Sequence, residues 1–200
     1  MLVNPTLILA STSRYRRELL TRLRLPFEVL APQVAEDPQP HETPPALALR
    51  LALAKAHAVA AQRPNAIVIG SDQVADLQGD ALGKPGTHER AVQQLRRLRG
   101  QTVLFHTAVA VVRTDTGFER ASLSSVKVVF RALSDAEIEH YLCTEQPYDC
   151  AGSAKCETLG IALLSAIESD DPTALIGLPL IRTCELLRLA GIDPLRVGTA

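Results

Sequence analysis

The sequence predicts an α/β fold built on a mixed sheet. Short apolar runs at Leu7–Ala10 and Ala66–Gly70 lead into polar turns and are separated by helical patterns, as in alternating strands and helices. Two long β-type runs, Gln101–Arg113 and Phe118–Arg131, flank Thr114-Asp115-Thr116-Gly117, a hairpin signature. A long hairpin makes part of the sheet antiparallel.

The elements follow in order. Leu7–Ala10 reads as a buried strand. Ser11-Thr12-Ser13 offers three candidate N-caps for a helix with Leu19, Leu20 and Leu23 on one face. Leu25–Leu30 reads as a second strand or extended segment. Five prolines between 32 and 45 demand a loop. Ala46–Ala61 is a helix capped by Thr43 with proline at its start. Ala66–Gly70 is a buried strand ending in Ser71-Asp72-Gln73. His88–Arg99 is an amphipathic helix stopped by Gly100. Ser134 opens a helix to about Cys143, with Glu137 at the capping-box position. Leu159–Ile167 is read as a strand, and Leu178–Ala190 as a helix ended by Gly191.

The chain has 200 residues, a formal net charge of −1, 46% hydrophobic and 22% charged residues. That is an ordinary globular composition, read as one domain over 1–200 with a core that needs no staple. The neutral balance argues against a nucleic-acid coat. No apolar run approaches the roughly 18 residues of a membrane span. Met1–Pro5 shows no signal-peptide pattern, so a cytoplasmic protein is expected. Cys143, Cys150, Cys156 and Cys184 form no CxxC pair and no common zinc spacing, so they read as reduced thiols. With only 4% aromatic residues, each exposed aromatic becomes a candidate ligand contact.

Three segments carry chemistry. In the first, hydroxyls and unpaired backbone N–H groups at a helix start can bind an anion. Arg14, Arg16 and Arg17 crowd that first turn, against the dipole preference for acids. Such a conflict is resolved by a bound phosphate, or by solvent around a basic helix face. In the second, Asp72 follows an apolar strand, where it can hold a divalent metal, accept a proton from water, or simply cap a turn. In the third, Gly83-Lys84-Pro85 imitates a Walker A loop but fails its test: Gly79 is one residue too close and Pro85 replaces the Ser/Thr. No GxGxxG occurs. Lys55 within the alanine-rich helix and Glu36 in the proline-rich loop read locally as solvated charges.

Together, Ala10-Ser11-Thr12-Ser13 with Arg16, the acidic loop at Glu36, Lys55, Gly70-Ser71-Asp72, Gly83-Lys84-Pro85 and Gly177-Leu178-Pro179 resemble the Maf family of nucleoside triphosphate pyrophosphatases, from about Leu7 to Leu189. The resemblance implies an elongated mixed sheet flanked by helices, with two lobes around a central cleft, often as a homodimer. It implies cleavage of a nucleoside triphosphate between its α and β phosphates with a divalent cation, Mg²⁺ or Mn²⁺. Asp72 matches the proton acceptor; Ser11, Arg16, Lys55 and Lys84 match phosphate contacts. Glu36, with Asp72, matches the acids near the metal.

Three positions bear on the base. Tyr15 falls where the dTTP/UTP-type branch has an arginine and the branch resembling 7-methyl-GTP pyrophosphatases has an aromatic. Gln73 and Glu157 also match the latter branch. An aromatic face attracts a methylated, cationic guanine by about 0.5–2 kcal/mol. A carboxylate at Glu157 accepts from both donors on the guanine edge. Arg14 departs from the usual proline of the first motif, and Tyr15 from the usual tryptophan. Two other readings compete: a dTTP/UTP pyrophosphatase, and a non-catalytic septum-formation or division regulator.

Overall fold

The computed structural model describes residues 5–196; Met1–Asn4, part of the stretch read above for a leader, lies outside the described residues. Seven strands form one mixed sheet: β1 Leu7–Ala10, β2 Glu28–Leu30, β3 Ile67–Leu77, β4 Asp80–Leu82, β5 Thr102–Arg113, β6 Phe118–Phe130 and β7 Leu164–Glu168. The order is β2-β1-β3-β5-β6-β7, with β4 pairing β3 off this path. β2, β1 and β3 are parallel, and every pairing from β3 onward is antiparallel. Five helices flank it: α1 Arg14–Thr21, α2 Pro44–Ala60, α3 His88–Leu98, α4 Asp135–Glu145 and α5 Leu180–Leu189.

Strand alternation sorts the core. Val68, Val74, Ala108, Ala110 and Val112 face α2, whose Leu47, Ala48, Leu51, Ala52 and Ala56 pack on them. Ile67, Ile69, Val109 and Val111 point the other way, onto Leu19 and Leu20 of α1 and Leu186 and Leu187 of α5. At the far end Val103, Phe105, Val126 and Val128 are covered by Leu95 and Leu98 of α3 and Ile138 and Leu142 of α4. One end of the sheet is thus covered on both faces and the other by α3 and α4, which matches the two expected lobes.

Several local expectations hold. Ser13 is the N-cap of α1, accepting from the Arg16 amide at 3.4 Å. Ser134 and Glu137 form the capping box of α4.

Four details differ. First, β3 does not end before Ser71-Asp72-Gln73 but runs on to Leu77. Continued pairing with β5, Asp72 opposite Ala108, carries it forward. Second, Thr43 occupies the N-cap of α2 without a side-chain capping bond. Pro44 and Pro45, which lack N–H groups, remove donors that a cap would serve. Third, only Leu164–Glu168 of the expected strand over 159–167 is extended; Leu159–Leu163 is a 3-10 turn. The backbone at Gly160 lies against Lys155, where a Cβ would fall 2.4 Å from the Lys155 carbonyl oxygen. Fourth, the last helix starts at Leu180 because Pro179 stands at its N-cap.

Candidate active site

The site grows from the end of β1. That strand pairs Leu7–Ala10 with Ile67–Gly70 and then stops. On the same side of β3, pairing resumes only at Ala75–Leu77, with β4. Residues 71–74 of β3 therefore have no strand neighbour there. A cleft of about 800 Å³ opens beside the gap, and Ser11, Arg16, Glu36, Lys55, Asp72 and Lys84 all line it.

Glycine brings helix and strand together. A Cβ on Gly70 would lie 2.2 Å from the Ala52 carbonyl oxygen and 2.6 Å from the Ala56 nitrogen. Without one, α2 rests against β3, and Lys55 reaches Asp72 on the same face. Lys55 Nζ donates to Asp72 Oδ1 at 2.6 Å and contacts Glu36 Oε1 at 2.6 Å. Lys55 is buried, not the solvated lysine its local pattern suggests. A buried ammonium is tolerated because two carboxylates compensate it.

Glu36 belongs to the proline-rich loop, which Arg50 pins to α2. Arg50 makes a two-pronged bond to Glu42, at 2.6 and 2.8 Å, and donates to the Asp37 carbonyl at 3.0 Å. Glu42 is held down at about 2 by the Arg50 hydrogen bond first and the Gln39 amide second. Burial pushes Glu36 up, yet the Lys55 hydrogen bond with the charges of Lys55, Lys84 and Arg16 outweighs it, so the carboxyl sits below its ordinary range. Burial pushes Arg16 below its usual value, opposed by Asp72 and Glu36. At this end of the cleft the three cations Arg16, Lys55 and Lys84 meet the carboxylates Glu36 and Asp72, while Arg14, Asp149 and Glu157 line the rest of it.

The turn after β1 supplies donors. Ser11 is buried, and its Oγ accepts from the Ser13 amide at 3.1 Å. Arg16 Nε donates to the Gly177 carbonyl at 3.2 Å, and Ser71 Oγ donates to the same oxygen at 3.1 Å. Gly177 has φ +129°, a conformation that favours glycine.

The base-selecting candidates line the same cleft: Tyr15, Gln73 and Glu157. The Arg14 guanidinium lies 4.8 Å from the Tyr15 ring centroid and donates to its hydroxyl at 2.7 Å. Burial pushes the Tyr15 phenol up, so it stays neutral. Gln73 spends its amide nitrogen on Thr107 Oγ1 and the carbonyls of Ala174 and Leu175, at 2.9–3.0 Å. Its Oε1 is what remains to offer, an acceptor. Glu157 is exposed at the cleft.

All four cysteines are free. Burial pushes Cys150 and Cys156 up to about 12, so neither supplies a thiolate at neutral pH. Sequence reasoning missed Tyr148, which also lines the cleft and whose hydroxyl lies 3.0 Å from His88 Nδ1. Scarcity of aromatics is the signal that could have found it. The loop anchors Arg50 and Glu42 carry no local signal.

Among the described residues no group of three or more His, Cys, Asp or Glu could hold an ion. Two carboxylate groups, Glu36 and Asp72, nevertheless converge on one ammonium. Mg²⁺ is commonly held by one or two carboxylates, with water and substrate phosphates completing its shell.

The family model described as "Maf-like protein" matches residues 6–190. A protein named 7-methyl-GTP pyrophosphatase from Polaromonas sp. is 69% identical over 186 residues, 93% of this chain and 85% of that one. A namesake from Albidiferax ferrireducens is 66% identical over 189 residues, 94% of this chain and 95% of that one. Another, from Thiobacillus denitrificans, is 58% identical over 192 residues, 96% of both chains. The solved Ham1 protein of Staphylococcus aureus aligns with a TM-score of 0.47 at 16% identity, over 64% of this chain and 72% of that one. The family model spans nearly all of the described residues, and on that ground the chain belongs to the Maf family.

Proposed function

We propose that this chain, acting as one domain over 1–200, hydrolyses 7-methyl-GTP to 7-methyl-GMP and pyrophosphate, removing a modified nucleotide from the pool. The observation that carries the reading is the convergence of Arg16, Lys55 and Lys84 with Glu36 and Asp72 on one cleft. That relatives at 58–69% identity are named 7-methyl-GTP pyrophosphatases supports the choice of substrate.

The residues divide the work. Arg16, Lys55 and Lys84 draw the triphosphate to their end of the cleft, and the Ser11 turn with Arg16 holds its phosphate oxygens at the N-terminus of α1. Lys55 and Lys84 face the charge that builds as the bond between the α and β phosphates breaks. Fixed donors aimed at developing charge are each worth about 3–4 kcal/mol. Lys55 occupies Asp72 Oδ1. The other oxygen, Oδ2, takes the proton of the attacking water, and pyrophosphate leaves. Glu36 would hold the Mg²⁺ or Mn²⁺ ion beside Asp72, and when bound that ion neutralises phosphate charge and lowers the pKa of its water.

At the base end, Tyr15 offers its ring to the cationic 7-methylguanine. Glu157 accepts from the guanine edge, and Gln73 Oε1 accepts from base or sugar. This set favours 7-methyl-GTP over dTTP and UTP. The homodimer implied by the resemblance and the cytoplasmic location expected from the sequence belong to the same reading, and sedimentation velocity tests the first. No helix among the described residues is long and apolar enough to cross a membrane.

A panel of nucleoside triphosphates, methylated and unmethylated, with Mg²⁺ and Mn²⁺, tests the reading through pyrophosphate release. Fastest turnover of 7-methyl-GTP is expected, with at least ~100-fold loss in Asp72→Ala while binding persists. An Asp72→Ala protein with normal turnover contradicts it.

A further inference from the structure

Asp171 is fully buried, yet it neither lines the cleft nor pairs with a cation. Its carboxylate is spent on backbone and one hydroxyl. Oδ1 accepts from the Thr173 amide at 3.1 Å and the Thr173 hydroxyl at 2.8 Å. Oδ2 accepts from the Ile181 amide at 2.8 Å and the Arg182 amide at 3.4 Å. Pro179, at the N-cap of α5, has no side chain able to cap. Asp171 serves α5 instead, from ten positions upstream of Ile181. Thr173 Oγ1 closes the ring by accepting from the Leu180 amide at 2.8 Å.

The segment closed in this way is the one that orients the site. Between Thr173 and Leu180, the Gly177 carbonyl takes Arg16 Nε and Ser71 Oγ. The Ala174 carbonyl takes Gln73 Nε2 and Thr107 Oγ1, and the Leu175 carbonyl takes Gln73 Nε2 again. One cation of the phosphate end and one amide of the base end are thus aimed by carbonyls of a single loop. A carboxylate that accepts four bonds in the interior is a strong fastener. Leaving its backbone donors unpaired would cost more than loosening an exposed turn.

We propose that Asp171 is a positioning residue: it closes the 173–180 loop so that the Gly177 carbonyl aims Arg16 at the phosphates and the Ala174 and Leu175 carbonyls aim Gln73 at the nucleoside. It acts through Arg16 and Gln73 and touches no substrate. The proposal rests on the reading of the cleft as a triphosphate site.

A double-mutant cycle tests it with Asp171→Asn, Arg16→Ala and the pair. Two readouts are taken: kcat/KM for the best nucleotide of the panel, and the Kd of inorganic tripolyphosphate by calorimetry. Asp171→Asn is expected to weaken both about 10-fold or more in the otherwise native protein, and to weaken tripolyphosphate binding less than about 3-fold in the Arg16→Ala background, as for residues that act as a unit. Its kcat/KM ratio between 7-methyl-GTP and GTP is also expected to move, because Gln73 loses its anchors. A protein merely destabilised would lower all nucleotides alike. Equal losses of tripolyphosphate affinity in both backgrounds, or an unchanged Kd, overturn the proposal.

Should Asp171→Asn fail to fold, Thr173→Val removes the hydroxyl that joins Asp171 to the Leu180 amide, and Thr173→Ser is expected to keep it. A Thr173→Val protein with native tripolyphosphate affinity overturns the proposal equally. A native protein that binds tripolyphosphate but turns over no nucleotide sinks the functional reading, while the calorimetric cycle still decides the role of Asp171.

Discussion

Lys55 Nζ lies 2.6 Å from Asp72 Oδ1, and the two side chains are only 7% and 11% exposed. A pair so far removed from water is worth little against an apolar substitute but costs much when halved. Lys55→Met leaves Asp72 and Glu36 facing each other without a cation. A destabilisation of about 3–5 kcal/mol in chemical denaturation is expected, with loss of turnover. Adding Asp72→Asn to Lys55→Met should recover part of the stability and none of the turnover. A Lys55→Met protein as stable as the parent would show that the pair is solvated.

Gly70→Ala tests how the pair is brought together. The new Cβ would meet backbone atoms of α2, 2.2 Å from Ala52 oxygen, so the helix must move. Overpacking of this kind costs about 1–3 kcal/mol, and rigid backbone neighbours place it at the upper end. Turnover at a temperature where the variant is fully folded should still fall, because Lys55 is carried away with α2. Native turnover in the folded variant would separate the helix contact from the site.

The Arg50–Glu42 clamp predicts a pH window. Glu42 is depressed from 4.5 to about 2 when folded. A depressed carboxyl adds stability that is complete above its unfolded value and vanishes as pH falls through the folded one. The difference in melting temperature between the native protein and Glu42→Gln should therefore be constant above about pH 5 and shrink from 4.5 towards 2. A difference that grows on acidification would reverse the assignment. Glu36, also depressed, should keep its charge to lower pH than an ordinary glutamate.

Base preference gives two opposite shifts. Glu157→Gln replaces two acceptor oxygens by one acceptor and one donor group, and should move kcat/KM away from guanine nucleotides. Arg14 lies against the Tyr15 ring at 4.8 Å and competes there with a cationic base. Arg14→Ala should raise the ratio of 7-methyl-GTP to GTP, about 2- to 30-fold for a contact of ~0.5–2 kcal/mol. Unchanged ratios across the panel in both variants would remove Tyr15 and Glu157 from base selection.

Local signals in the chain reveal some of this and conceal the rest. Leu7–Ala10, the 101–131 hairpin and the Ser134–Glu137 box declare themselves because each obeys a short-range period or cap. The extension of β3 through Ser71-Asp72-Gln73 does not. Polar residues read as a strand end, and only pairing with β5 keeps them extended. The burial of Lys55 is equally silent, since its two carboxylates arrive from 17 and 19 positions away in the chain. Family resemblance placed Lys55 at the site; residue pattern alone left it in solvent. Asp171 sits in a polar stretch, Ser169-Asp170-Asp171-Pro172, that reads as a turn, and its partners appear only once α5 has folded back onto the loop.

The central claim is that water attacks the α phosphate of 7-methyl-GTP with Asp72 accepting its proton. Hydrolysis in ¹⁸O-labelled water, read by mass spectrometry of both products, tests it most directly. The label should appear in 7-methyl-GMP, with unlabelled pyrophosphate, and Asp72→Ala should slow its incorporation at least ~100-fold. Label in pyrophosphate, or release of orthophosphate in place of pyrophosphate, would contradict the account.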